Sequence, residues 1–192
     1  ELQYDWNFGD PGAGTWRTTG KSRNSATVPV AGHVFESPGT FTVTLTVRDG
    51  SGSANKTVTI NVQDPDSVFS GSNTIAVSRT GNFSGAPSGA QQVTTTSWGT
   101  AMGYVGTGKR VLFRTGENWS GSSKTINMPG PGHIGTFGTG ARPVVSTNHA
   151  FTLSGGTPQI DDWRFVGLEV TGGGGTIFEA ANTFANLPVL DC

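Results

Sequence analysis

The sequence predicts an all-β protein, and three features carry that prediction. Apolar and polar residues alternate over several stretches, most regularly over residues 41–47, with the period of a half-buried strand. Charged residues make up only 13% of the chain, so threonine and serine fill surface positions that suit strands better than helices. Glycine and proline separate the alternating stretches and mark turns. We therefore expect short strands joined by tight turns.

The first 62 residues contain three alternating stretches. The first runs over residues 2–8 and is broken by Gly9-Asp10-Pro11-Gly12. The second, residues 41–47, follows Pro38-Gly39, and a turn at residues 49–52 leads into the third, residues 57–62. This order predicts a strand followed by a hairpin, with one apolar face shared by all three strands.

The residues of these stretches resemble a PKD domain, an immunoglobulin-like β-sandwich common on secreted and surface proteins. The motif consists of Tyr4, Trp6, Phe8, Gly9, Asp10, His33, Phe35, Pro38, Gly39 and Phe41. The resemblance spans about residues 2–62 and implies a structural role for this set, with His33 packing or hydrogen bonding across the sandwich.

The resemblance also predicts that strands are missing at the start of the domain. A PKD domain normally has two strands before its Tyr-x-Trp strand, and here that strand starts at Leu2. Phe41, Val43, Leu45 and Val47 then lack a facing sheet, which would cost free energy comparable with the stability of a small domain. We expect the rest of a longer chain, or other copies of this one, to supply the missing strands by β-augmentation.

Composition divides the chain into residues 1–63, a polar linker at 64–73 and residues 74–192. Pro65 cannot donate a ladder hydrogen bond, so the strand that reaches Val62 ends there. Asp64 and Asp66 flank this proline at the junction, where calcium rigidifies many linked extracellular modules. They are candidate Ca²⁺ ligands, although calcium takes about six to eight oxygens; the alternative is a pair of solvated linker charges. Nothing else indicates a cofactor.

From Thr74 onward, short apolar clusters alternate with glycine-rich turns, as in a sandwich or a solenoid. One short helix is predicted, in which Ser97 is the cap and Trp98 shares an apolar face with the residues that follow it. This helix and residues 108–119 resemble the entry to a short right-handed parallel β-helix of the pectate-lyase-like type. There the helix caps the first coil, and residues 135–145 and 163–172 are similar to later coils.

Few residues of this second part suggest chemistry. Trp119, between Asn118 and Ser120, is the candidate for an exposed contact with a sugar, whereas Trp98 and Trp163 are predicted to be core. Residues 161–169 hold the charges Asp161, Asp162, Arg164 and Glu169, which form either a surface ion pair or the start of a polysaccharide-lyase groove. His133 and His149 are predicted to be isolated surface histidines.

Composition excludes several functions. The net charge of −1 gives no electrostatic pattern for nucleic acid, and no apolar run approaches the roughly 18 residues of a membrane span. Cys192 is the only cysteine, and the sequence leaves its role open.

The sequence therefore predicts a non-catalytic structural or adhesive region of a secreted or cell-surface protein, of bacterial origin, that self-assembles or is completed by a longer chain. Two alternatives remain open. One is the N-terminal part of a polysaccharide lyase or hydrolase, and the other is a carbohydrate-binding accessory region.

Overall fold

The structure is a computed structural model that describes residues 1–147, 150–154, 160–172, 178–180 and 189–190. The chain divides into two compact units, Glu1–Ser67 and Val68–Cys192. Strands pair antiparallel in the first unit and parallel in the second. The described helices are short, and none of them has the length and apolar character needed to cross a membrane.

One four-stranded antiparallel sheet forms the N-terminal unit, in the order β2-β1-β3-β4. Its strands are β1 (Gln3–Asn7), β2 (Ser25–Ala26), β3 (Gly39–Arg48) and β4 (Ser53–Val62). The predicted hairpin is present, and Asp49 closes its turn by accepting hydrogen bonds from Ser51 and Gly52. These bonds, above all the one from the Ser51 hydroxyl, lower the pKa of Asp49. Residues 1–67 form no second sheet.

The second unit begins near the short helix α1 (Pro65–Val68), and its described residues contain one further α-helix, α2 (Trp98–Met102). Its strands are β5 (Thr74–Ser78), β6 (Gln91–Thr94), β7 (Lys109–Arg114), β8 (Asn118–Ser120), β9 (Lys124–Ile126), β10 (Gly132–Phe137), β11 (Val144–Ser146), β12 (Phe151–Leu153), β13 (Trp163–Val166), β14 (Glu169–Thr171), β15 (Phe178–Ala180) and β16 (Val189–Leu190).

These strands form three parallel sheets, which are not closed into a barrel. Their orders are β16-β13-β10-β7-β5-β6, β14-β11-β8 and β15-β12-β9. From β7 onward, every third strand in the sequence joins the same sheet. The chain therefore makes successive rounds of three short strands, and each round lies in parallel register on the one before.

Apolar side chains from the three sheets meet in one core, and α2 packs against it. Ser97 caps α2 as predicted, its hydroxyl accepting a 3.2 Å hydrogen bond from the Thr100 amide. Trp98 packs on Phe113 with ring centroids 5.3 Å apart. Trp98 is 2% exposed and Trp163 is fully buried, so both predictions of a core role are confirmed.

The outer face of the largest sheet is covered by residues 79–90. Phe83 stacks on Phe137, and Arg114 donates a 3.1 Å hydrogen bond to the Ser84 carbonyl. The carboxylate of Glu117, which is 9% exposed, accepts hydrogen bonds from Ser78, Arg79 and Thr80. A buried carboxylate with this many donors fixes the position at which residues 79–90 leave β5.

Candidate interaction surface

The outer edge of β4 is the longest unpaired strand edge in the N-terminal unit. β4 is ten residues long and pairs with β3 in unbroken register from Gly39 opposite Val62 to Arg48 opposite Ser53. It lies at the end of the sheet order, so no strand of residues 1–67 pairs with its other side. In an antiparallel pair, every second residue directs its backbone N–H and C=O away from the partner. These groups can accept another strand.

One face of the same sheet is apolar and only partly covered. The register places Val43 opposite Val58, and Phe41 opposite Ile60, on this face. Val43 is 8% exposed, whereas Val58 next to it is 54% exposed. Leaving half of a valine side chain in water forfeits about 1 kcal/mol. The predicted loss of cover is therefore seen around Val58, although it does not extend over the whole face.

The aromatic motif residues account for the covered part of this face. The rings of Phe8, His33, Phe35 and Phe41 pack in succession with centroids 4.5, 4.6 and 4.5 Å apart; the first and last contacts are stacked and the middle one is edge-on. Trp6 joins this aromatic cluster by stacking on Phe8 and donating from Nε1 to the Val28 carbonyl at 2.9 Å. The irregular segment between β2 and β3 thus covers the aromatic half of the sheet.

His33 contributes a hydrogen bond as well as its ring. Its Nε2 lies 2.9 Å from Oδ2 of Asp10, and the two side chains are 5% and 10% exposed.

Gly9 has φ +68°, and a Cβ there would lie 2.4 Å from the Thr42 carbonyl oxygen, so only glycine lets the chain turn this close to β3. Pro38 precedes β3, and Tyr4 lies opposite Val47.

The prediction that Trp119 is exposed to sugars is wrong. Trp119 is 1% exposed, and its ring packs edge-on against Phe113 at 5.1 Å. On β8 the side chains of Asn118 and Ser120 point outward, so the residue between them must point into the core. The alternation in Asn118-Trp119-Ser120 carried this information, but the flanking polar residues suggested an exposed loop.

Asp64 and Asp66 interact with each other in a local turn. Oδ1 of Asp64 accepts a 2.8 Å hydrogen bond from the backbone N–H of Asp66, at the start of α1. Within the described part of the chain, no group of three or more His, Cys, Asp or Glu residues could hold a metal ion. Calcium at this position stays a prediction.

The charges around β13 form an ion pair. Arg164 donates to Asp162 at 2.7 Å, and the side chains are 43% and 37% exposed, as the surface ion-pair interpretation expects. Trp163 and Phe165 point into the core from the same strand. Glu169 is exposed on β14.

His133 is not the isolated surface residue that the sequence suggested. It lies on β10 in register with Arg110 on β7 and Arg164 on β13, and its Nε2 is buried without a described partner. Burial, and after it the charges of Arg110 and Arg164, lower the pKa of His133 to about 4. Sequence spacing gave no sign of this, because the three residues come from different rounds of the chain. His149 and Cys192 lie outside the described residues.

The N-terminal unit is a four-stranded antiparallel sheet that carries an aromatic cluster on one face. Residues 1–62 match the family model of the PKD domain, as the sequence motif predicts. PKD domains are generally extracellular adhesive or structural modules. No curated protein and no solved structure matches the chain.

Proposed function

We propose that this chain is a non-catalytic structural or adhesive region of an extracellular or cell-surface protein, of bacterial origin, and that another polypeptide segment completes its N-terminal sheet. The observation that carries the proposal is the half-exposed Val58 on a strand whose outer edge is unpaired. The match of residues 1–62 to the PKD domain supports the extracellular and adhesive part of the proposal.

A strand added to β4 would pair its open backbone edge and would also cover the exposed side chain of Val58. Its backbone would pair with the unpaired N–H and C=O groups, and its apolar side chains would extend the face that holds Val58. β4 offers little protection against such pairing, because Lys56 is its single charged residue and it contains no proline. The segment comes either from another copy of this chain or from further sequence of the same protein.

For the second unit we propose a short right-handed parallel β-helix of the pectate-lyase-like type. The recurrence of every third strand in one sheet, with the apolar side chains directed into a shared core, supports this proposal. In such a solenoid α2 is the cap of the first round of three strands, because Trp98 packs on Phe113 of β7 and on Trp119 of β8. A rigid stack of this kind suits a spacer or a scaffold.

Hydrogen exchange tests the open edge directly. In a dilute solution of the chain we expect every second amide of β4 to exchange rapidly, because its N–H points to water. Full protection of all β4 amides in a monomer would show that the edge is already covered and would refute the proposal.

Sedimentation velocity tests completion by a second copy. Val58→Glu places a charge on the apolar face, and Thr59→Glu places the same charge on the opposite face of the same strand. If copies complete one another, association rises with concentration, and Val58→Glu weakens it at least tenfold more than Thr59→Glu. A chain that stays monomeric points to completion within a longer chain.

Release of unsaturated products from a uronate polymer would contradict the non-catalytic assignment.

A further inference from the structure

A basic turn that carries an exposed tryptophan projects from the N-terminal unit at residues 15–22. The Trp16 amide donates to the Lys21 carbonyl at 2.8 Å, and the Gly20 amide donates back to the Trp16 carbonyl at 2.8 Å. Thr15 and Ser22 form an antiparallel bridge at the base of the turn. The backbone is therefore closed, and it holds Trp16 and Lys21 opposite each other.

The exposure of Trp16 distinguishes it from the tryptophans of the core. Trp16 is 54% exposed, whereas Trp98, Trp119 and Trp163 are at most 2% exposed. A large aromatic side chain loses hydrophobic free energy when it is left in water. Folding of the unit does not require this exposure, since the aromatic cluster on the sheet is complete without Trp16.

One flank of the indole is already fixed. The Arg23 guanidinium lies 5.4 Å from the centre of the Trp16 ring, and it is held there by an ion pair of 2.5 Å with Glu36. Because Glu36 balances its charge, Arg23 is not available to an anionic ligand; its contact with the indole instead orients the Trp16 ring. The indole is thus presented in a defined position with more than half of its surface accessible.

Two further cations lie in the same turn as Trp16. Arg17 and Lys21 are exposed within the turn, and the segment from residue 11 to residue 35 contains no aspartate or glutamate. Together with Arg23, which directly follows the turn, they are three of the 12 Lys and Arg residues of the chain and lie within seven positions. The local potential is therefore positive although the whole chain has a net charge of −1.

We propose that this basic turn binds an anionic polysaccharide. The C–H face of a sugar ring would stack on Trp16, and carboxylate groups of the polymer would pair with Arg17 and Lys21. A projecting turn with one ring, two cations and the hydroxyls of Thr18 and Thr19 fits a thin polymer better than a flat protein surface. The site is separate from the β4 edge, and the inference does not depend on the proposed function.

Binding can be measured by affinity electrophoresis of the whole chain in gels that contain polygalacturonate, with neutral dextran and a single-stranded oligonucleotide as comparison polymers. We expect retardation by polygalacturonate alone. Trp16→Ala and the double variant Arg17→Ala/Lys21→Ala should each weaken it at least tenfold. Lys56→Ala, which removes an exposed cation from β4, should leave it unchanged.

A second readout guards against loss of folding in Trp16→Ala. Trp16→Tyr keeps a stacking ring and should retain most of the affinity, and polygalacturonate should protect the exposed tryptophan of the wild-type chain from acrylamide quenching. Lack of retardation, equal retardation by dextran, stronger binding to the oligonucleotide or an equal loss in Lys56→Ala would each overturn the proposal. Val58→Glu should bind as the wild type does, which separates this test from that of the open edge.

Discussion

Nε2 of His33 lies 2.9 Å from Oδ2 of Asp10, and both side chains are nearly buried. The imidazole is stacked on Phe8, so it is fixed by packing as well as by the hydrogen bond. This relationship joins the turn after β1 to the segment before β3. It gives the aromatic cluster a polar contact that alternative packings would lack.

Asp10→Ala should destabilise the N-terminal unit by about 3 kcal/mol, because it leaves the His33 ring nitrogen buried without its partner. Urea unfolding of the whole chain, followed by a signal from the N-terminal unit, measures the loss. Glu36→Gln is the matched control, since it removes a carboxylate from an exposed ion pair and should change the stability by less than about 1 kcal/mol. Equal effects of the two substitutions would show that burial of the Asp10–His33 pair does not matter.

Acid should destabilise the second unit through His133. The pKa of His133 falls from 6.5 to about 4 on folding, so the unfolded chain binds the proton more readily between these two values. The free energy of unfolding therefore decreases as the pH falls from about 6.5 to about 4, by up to about 3 kcal/mol. His133→Asn should flatten the pH dependence in this window. A variant as acid-sensitive as the wild type would exclude His133 as the cause.

Gly132→Ala should cost about 1–3 kcal/mol, because a Cβ at this inward position would lie 2.4 Å from the Trp163 ring. Trp163→Phe removes the clashing part of the indole. The double variant should therefore lose less stability than the sum of the two single losses, which a double-mutant cycle by denaturant unfolding measures. Gly106→Ala, where the nearest atom is 3.8 Å away, is the control for adding a methyl group. Strict additivity would contradict the packing described.

Glu117→Gln should loosen residues 79–90, because an amide keeps one acceptor oxygen and places a donor against the Arg79 amide. We expect a loss of about 1–3 kcal/mol in unfolding free energy and faster hydrogen exchange confined to residues 78–90. Glu169→Gln on β14 is the control, since Glu169 is exposed. Unchanged exchange in residues 78–90 would show that Glu117 does not hold this segment.

The short-range pattern of the sequence was sufficient to predict the strands of the N-terminal hairpin. Alternation over residues 41–47 and the turn at 49–52 define β3, β4 and their antiparallel register, because neighbouring strands joined by a tight turn have one way to pair. The cap at Ser97 is equally local, since its hydroxyl and the Thr100 amide are three residues apart. The aromatic cluster followed from a long motif that matches the PKD domain.

The exposure of Trp16, in the same unit, had no signal in the sequence. Its neighbours Thr15 and Arg17 gave no periodicity that separates a core tryptophan from an exposed one. In the structure the position of Trp16 depends on the backbone hydrogen bonds that close the turn, and Arg23, paired with Glu36, lies beside its ring.

The amino-acid sequence by itself determined the all-β character, the hairpin of β3 and β4, the short helix α2 with its N-cap and the aromatic set around His33, because these depend on residues close in the chain or on one fixed motif. Only the tertiary structure decided that Trp119 faces the core and that His133 lies between Arg110 and Arg164. The physical reason is that burial and the pKa of a side chain depend on which distant strands stack beside it, and residues 110, 133 and 164 become neighbours only when successive rounds of the chain pair.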